Sequence, residues 1–104
     1  MNIDILIIFV NESDRIHHHS SADFIIQQAL ELGLSGASTF RAIDGFGNHH
    51  HLHPQTLLSM TDDEGVAIVV TDTPTKVDLL LESLSGVGIK AFTLRVPATR
   101  QVLE

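Results

Sequence analysis

Two stretches of this chain are apolar at nearly every position: Ile3 to Val10 and Val66 to Thr71. Both are short and rich in β-branched residues, the signature of strands buried on both faces. Between them Ala22, Ile25, Ile26, Ala29 and Leu30 recur at i, i+3, i+4, i+7 and i+8, which predicts an amphipathic helix. Ser20 or Ser21 suits its N-cap, Asp23 its first turn and Gly33 its C-terminal stop. Ala37 to Ile43 alternates as a second strand does. Thr73 and Pro74 open a second helix whose apolar stripe is Val77, Leu80, Leu81 and Leu84, with Gly86 at its end. Lys90 to Val96 completes a fourth strand. Asn11 to His19 reads as a loop, and Asp44 to Gly65 as a long connection with turn signals at Gly45, Gly47 and Asn48 and room for one helical turn over Pro54 to Met60. The tail from Pro97 carries no clear element, and its last Leu-Glu carries no weight in the reading.

The order is βαββαβ. It predicts an α+β, ferredoxin-like domain over residues 1–104, with a four-stranded antiparallel sheet and both helices on one face. In this topology the loop after strand one, the connection between strands two and three, and the turn after helix two share one end. The second sheet face has no element left to cover it, although Ile5, Ile7 and Phe9 lie opposite Leu6, Ile8 and Val10. An antiparallel sheet with one wet face alternates with polar residues. The pattern therefore predicts a homo-oligomer packed through its sheets.

Composition narrows the partners. A net charge of −7 disfavours nucleic acid and anionic membrane. The absence of Trp and Tyr removes the usual base-stacking residues, and the absence of cysteine removes disulfides and thiolate metal sites. The first apolar run is too short for a membrane span and has no basic segment before it, which predicts a cytoplasmic protein without membrane insertion.

The candidate chemistry lies in seven histidines confined to two segments: His17, His18 and His19, then His49, His50, His51 and His53. Both segments fall at the same end of the predicted fold. Neutral imidazole is a common metal ligand. His49 with His51, or His51 with His53, converge if the connection is extended; His49 with His53 converge if it is helical, which Pro54 opposes. With His17 or His19 they make a three- or four-nitrogen site suited to zinc, nickel, copper or cobalt. Neither spacing is a known zinc signature, and a solvated polar loop explains the same residues. Gly86 and Gly88 either present backbone N–H groups to a phosphate or simply turn the chain, with Lys90, Arg95 and Arg100 as neutralising charges or a solvated face. Arg15 and Arg41 either pair with Glu12, Asp14 or Asp44 or bind an anion. No spacing marks a nucleophile elbow or a metal-hydrolase helix, so an enzyme is not expected.

Three stretches carry a resemblance: Asn11-Glu12-Ser13-Asp14-Arg15, Ala29 to Ala37 (Ala-Leu-Glu-Leu-Gly-Leu-Ser-Gly-Ala), and Phe40-Arg41-Ala42-Ile43-Asp44-Gly45-Phe46-Gly47. Over about residues 3 to 96 the chain resembles the uncharacterised PII-like group known as domain of unknown function 190, with Ala42 standing where a glycine is usual. The resemblance implies a homotrimer with a ferredoxin-like protomer that acts as a signalling protein. It implies that residues 44–65 are the effector loop, engaging a regulated partner protein such as a membrane transporter or an enzyme. An adenine nucleotide is the implied effector, held between subunits, with Arg41, Gly45, Gly47, Gly86, Gly88 and Lys90 as its candidate contacts. The alternatives are a metal-binding or metal-buffering module built on the histidines, and a purely structural interaction module. Fold alone does not choose among these.

Overall fold

The structure, a computed structural model, describes residues 2–43 and 65–104. Its elements in chain order are β1 (Asn2–Asn11), β2 (Arg15–Ile16), β3 (His19–Ser20), α1 (Ser21–Glu31), β4 (Gly36–Arg41), β5 (Gly65–Asp72), α2 (Pro74–Gly86) and β6 (Phe92–Thr99). The main sheet has the order β4-β5-β1-β6 and every pairing in it is antiparallel. This is the ferredoxin-like arrangement, with the two most apolar strands, β1 and β5, at its centre.

The strands alternate in burial although β1 hardly alternates in chemistry. Leu6, Ile8 and Val10 of β1 and Val66, Ile68 and Val70 of β5 are buried against Ala22, Ile25 and Ala29 of α1 and Val77, Leu80 and Leu84 of α2. The intervening residues face away from the helices. The register sets them in three rows across the sheet: Phe40, Ala67, Phe9 and Phe92; then Ser38, Val69, Ile7 and Leu94; then Gly36, Thr71, Ile5 and Val96. Phe9 and Phe92 pack ring to ring with centroids 5.7 Å apart. Phe40 and Phe92 remain 57% and 50% exposed, an uncovered apolar face of the kind that marks an interaction surface.

The helix ends are built from local chemistry. Ser20 accepts the Asp23 N–H at 3.1 Å and caps α1. At the other end Gly33 takes φ +75°, its N–H bonds the Leu30 carbonyl and the Leu34 N–H bonds the Ala29 carbonyl, both at 3.0 Å. That is a Schellman motif, which requires a residue free to adopt the left-handed conformation. Thr73 caps α2, Pro74 begins it, and Lys76 donates to the Leu32 carbonyl at 3.0 Å, placing a cation at the end of α1.

Three expectations need correction. Residues 11–19 are not all loop: Arg15–Ile16 pairs with His19–Ser20 around a two-residue turn in which His17 and His18 both have positive φ, 50° and 70°. That turn shape usually draws Asn-Gly, so His-His gave no warning of it. β4 stops at Arg41 rather than Ile43. β6 begins two residues later than Lys90 and runs through Pro97 to Thr99; its place at the sheet edge lets a proline occupy it. α2 ends at Gly86 as expected, and Gly88 adopts positive φ (75°) in the turn that follows.

Candidate functional site

One end of the sheet collects the segments of interest. Asn11 pairs with Gly65, Arg41 with Val66 and Phe9 with Phe92, so the chain after β1, the two arms of the 41–65 connection and the start of β6 all lie there. The first of these segments is tightly folded. Asp14 accepts the Asn11 N–H at 3.1 Å and returns its own N–H to the Asn11 carbonyl at 3.1 Å. Arg15 donates to the carbonyls of Glu12 and Asp14 at 2.9 and 3.2 Å, and the Ser21 N–H reaches the Asp14 carbonyl at 2.8 Å. Arg15 thus orders the loop through carbonyls rather than carboxylates.

Glu12 projects from this platform to Arg41, with Oε2 2.8 Å from Nη1. Of the partners the sequence offers Arg41, Glu12 is one that it meets, and Asp44 lies outside the described residues. Immediately beyond, the Ala42 N–H donates to the Gly65 carbonyl at 2.8 Å and closes the neck of the 43–64 connection. An open cleft of about 550 Å³ lies beside this pair, between the N-terminus of α1 and the end of β4. Glu12, Ser20, Asp23, Thr39, Phe40 and Arg41 line it. Phe40 therefore borders both the cleft and the uncovered sheet face.

His17, His18 and His19 stand exposed on the hairpin turn at this same end, with the His17 ring 6.0 Å from that of Phe24. Among the described residues no group of three or more His, Cys, Asp or Glu is placed to hold a metal ion. Gly45, Gly47, His49, His50, His51 and His53, and the turn expected over 54–60, lie outside the described residues. Gly86, Gly88 and Lys90 are exposed at the site end, and a Cβ at either glycine would meet nothing within 4 Å.

Arg95 and Arg100 do not join this end. Arg95 donates to Asp4 and Asp78, both at 2.6 Å, and to the Pro74 carbonyl at 3.0 Å; Arg100 donates to the Ser35 hydroxyl at 2.9 Å. Ser35 in turn gives its N–H to Asp72 at 2.7 Å and its hydroxyl to the Thr71 carbonyl at 2.9 Å. These cations fasten the opposite end of the fold. Burial alone raises the Asp72 pKa, but the Thr73 and Ser35 N–H groups, with their hydroxyls, outweigh it and hold the carboxyl below its ordinary 3.8. The Asp78 and Asp4 hydrogen bonds raise the Arg95 pKa above its ordinary value.

Sequence reasoning did not find the cleft itself. Ser20 and Asp23 were readable only as capping residues, and Thr39 only as one position on an alternating strand. The available signal was positional: the first turn of α1 and the end of β4 both face the helix side of the sheet at one end.

The family described as DUF190, Uncharacterized ACR, matches residues 3–94. A UPF0166 protein from Aquifex aeolicus (strain VF5) is 28% identical over 82 residues, covering 79% of this chain and 78% of that protein. Among solved structures, CPII from Thiomonas intermedia K12 bound to ADP and bicarbonate superposes with a TM-score of 0.66 at 16% identity, over 94% of this chain and 87% of that one. The same protein, described as a nitrogen regulatory PII-like protein, bound to ADP, AMP and bicarbonate gives 0.65 at 13% identity, over 94% and 93%. The chain belongs to the DUF190 family, and its described residues have the PII-like, ferredoxin-like fold.

Proposed function

We propose that this chain is a cytoplasmic, trimeric PII-like regulatory protein that binds an adenine nucleotide at the Arg41 end of the fold and signals to a partner protein through the 44–65 connection. The observation that carries this reading is the cleft beside Arg41. It is open on one protomer, it is bordered by Phe40, and Phe40 continues into an apolar sheet face that no described element covers. Packing that face against further copies would bring neighbouring chains up to the cleft and complete it. Arg41 would meet phosphate charge, and the exposed Gly86 to Lys90 turn would offer backbone N–H groups from the same end. The CPII structures with ADP and bicarbonate lend the nucleotide its place in the proposal.

Calorimetry with ATP, ADP and AMP, with and without bicarbonate, tests it, together with light scattering on the same sample. Saturable heat from a particle of three chains is the expected result. A monomer, or no heat with any of the three nucleotides, rejects it.

A second reading has one observation in its favour. His17, His18 and His19 are exposed together at the end from which the chain carrying His49, His50, His51 and His53 departs. On that reading a zinc, nickel, copper or cobalt ion is the effector or an additional one. A rise in melting temperature with one of these metals, reversed by chelator and absent when His17 and His19 are replaced by Ala, supports it. No rise with any of them removes it.

A further inference from the structure

The ion pair between Glu12 and Arg41 carries more than a loop contact. Its two halves differ in how firmly they are held. Glu12 stands on a platform whose backbone is fixed by Asn11, Asp14 and Arg15. Arg41 is the last residue of an edge strand, its side chain 59% exposed, one residue before the neck formed by Ala42 and Gly65. An exposed pair of this kind is weak and readily exchanged. The cleft it borders holds two described carboxylates, Glu12 and Asp23, against one described cation, Arg41.

We infer that Glu12 is an internal competitor for the anionic effector: a phosphate or carboxylate group entering the cleft takes Arg41 from Glu12, and the ion pair sets how much effector is needed to do so. The inference rests on the proposed placement of the effector at Arg41. In the resting protein Arg41 bridges β4 to the loop after β1. In the occupied protein its guanidinium turns into the cleft and Glu12 is left to solvent. No new charge has to be buried, because Glu12 is already 29% exposed. Exchange of one carboxylate for another anion on the same guanidinium conserves its fork geometry.

The two halves of the pair should show opposite effects. Glu12→Gln keeps the backbone carbonyl that Arg15 holds and removes only the competing charge. It should tighten binding by up to about fivefold, the worth of an exposed ion pair. Arg41→Gln should weaken binding by about tenfold or more, as loss of a charge-assisted contact does, and Arg41→Lys should recover part of it. Asp23→Asn removes an equal charge from the same cleft without touching the pair and should change binding much less.

The experiment is calorimetric titration of the full chain and these four variants with ADP and with pyrophosphate, with circular dichroism melts confirming that each variant is folded. Tightening in E12Q but not in D23N, with weakening in R41Q, establishes the exchange. Equal tightening in E12Q and D23N overturns it in favour of the general field of the cleft. Unchanged or weaker binding in E12Q overturns it while nucleotide binding itself stands. Binding of pyrophosphate without ADP, with the same order of variants, keeps the exchange and rejects the nucleotide reading. No heat with either probe overturns both.

Discussion

Replacing Arg95 with Met should be the most damaging single surface change in this protein. Arg95 lies on β6, yet its three hydrogen bonds go to Asp4 on β1, Asp78 on α2 and the Pro74 carbonyl at the start of α2. The two ion pairs are equal in length at 2.6 Å but not in environment. The Asp78 side chain is 66% exposed, and a pair so wet is worth at most about 1 kcal/mol. The Asp4 side chain is 12% exposed, and removing its partner leaves a largely buried carboxylate short of a hydrogen bond, at a cost of about 1–3 kcal/mol. Their sum places R95M at about 1–4 kcal/mol, while D78N stays below about 1. On a D4N background the Arg95 change should become milder, because no charge is stranded; the coupling between the two positions should be about 1–3 kcal/mol. Titration does not offer a shortcut. The folded Arg95 pKa is raised, so its contribution is full below the ordinary arginine value and is lost only as pH rises past the higher folded value. The assay is urea unfolding followed by far-ultraviolet circular dichroism, since the chain has no Trp or Tyr. Protein concentration must be fixed, because self-association adds to apparent stability. An R95M loss no greater than that of D78N, or additive effects at Asp4 and Arg95, would refute the reasoning.

Leu94→Asp sets a carboxylate in the middle row of the uncovered face and should yield a smaller particle by light scattering with its circular dichroism spectrum retained; an unchanged mass would remove that face from the assembly. Asp72→Asn should cost about 1–3 kcal/mol near neutral pH, because an amide cannot accept the Ser35 and Thr73 N–H groups as a carboxylate does. The folded Asp72 pKa is lowered, so its contribution is present above 3.8 and lost as pH falls through the folded value. The variant should therefore show a flatter acid limb in stability against pH, and an unchanged limb would contradict the assignment. His17→Asn combined with His18→Gly gives the hairpin turn its preferred residues and should raise stability by about 1 kcal/mol. A lower melting temperature instead would mean that the His17 contact with Phe24 outweighs the backbone strain.

Much of this architecture is legible in the amino-acid sequence. The period of α1, the caps at Ser20 and Thr73 and the doubly apolar β1 and β5 are local signals, and local signals dictated the element order and left one sheet face bare. The bare face came out as expected because Phe92, Leu94 and Val96 share one parity with Ile5, Ile7 and Phe9 across the pairing. What escaped was chemistry that depends on distant residues. Asp4 and Arg95 interrupt otherwise apolar strands, a visible oddity, but only the register shows that they answer each other across β1 and β6. The His17–His18 turn escaped for the opposite reason: its backbone shape is local, yet histidine is an uncommon occupant. Arg41 was legible as an outlier among six basic residues, and Glu12 as one of three candidate partners for it; that Glu12 meets it depends on the platform built by Asp14 and Arg15.

The hydrogen bond between Ala42 and Gly65 separates two evolutionary problems. Below it every residue answers to the sheet, and change is constrained by register and packing. Above it the entropy of closing a ring through the two arms grows by only about 0.6 kcal/mol for each doubling of its length. In ring-closure terms, a change of length above this neck therefore costs the scaffold little. A fold closed off in this way can change what it recognises without relearning how to fold.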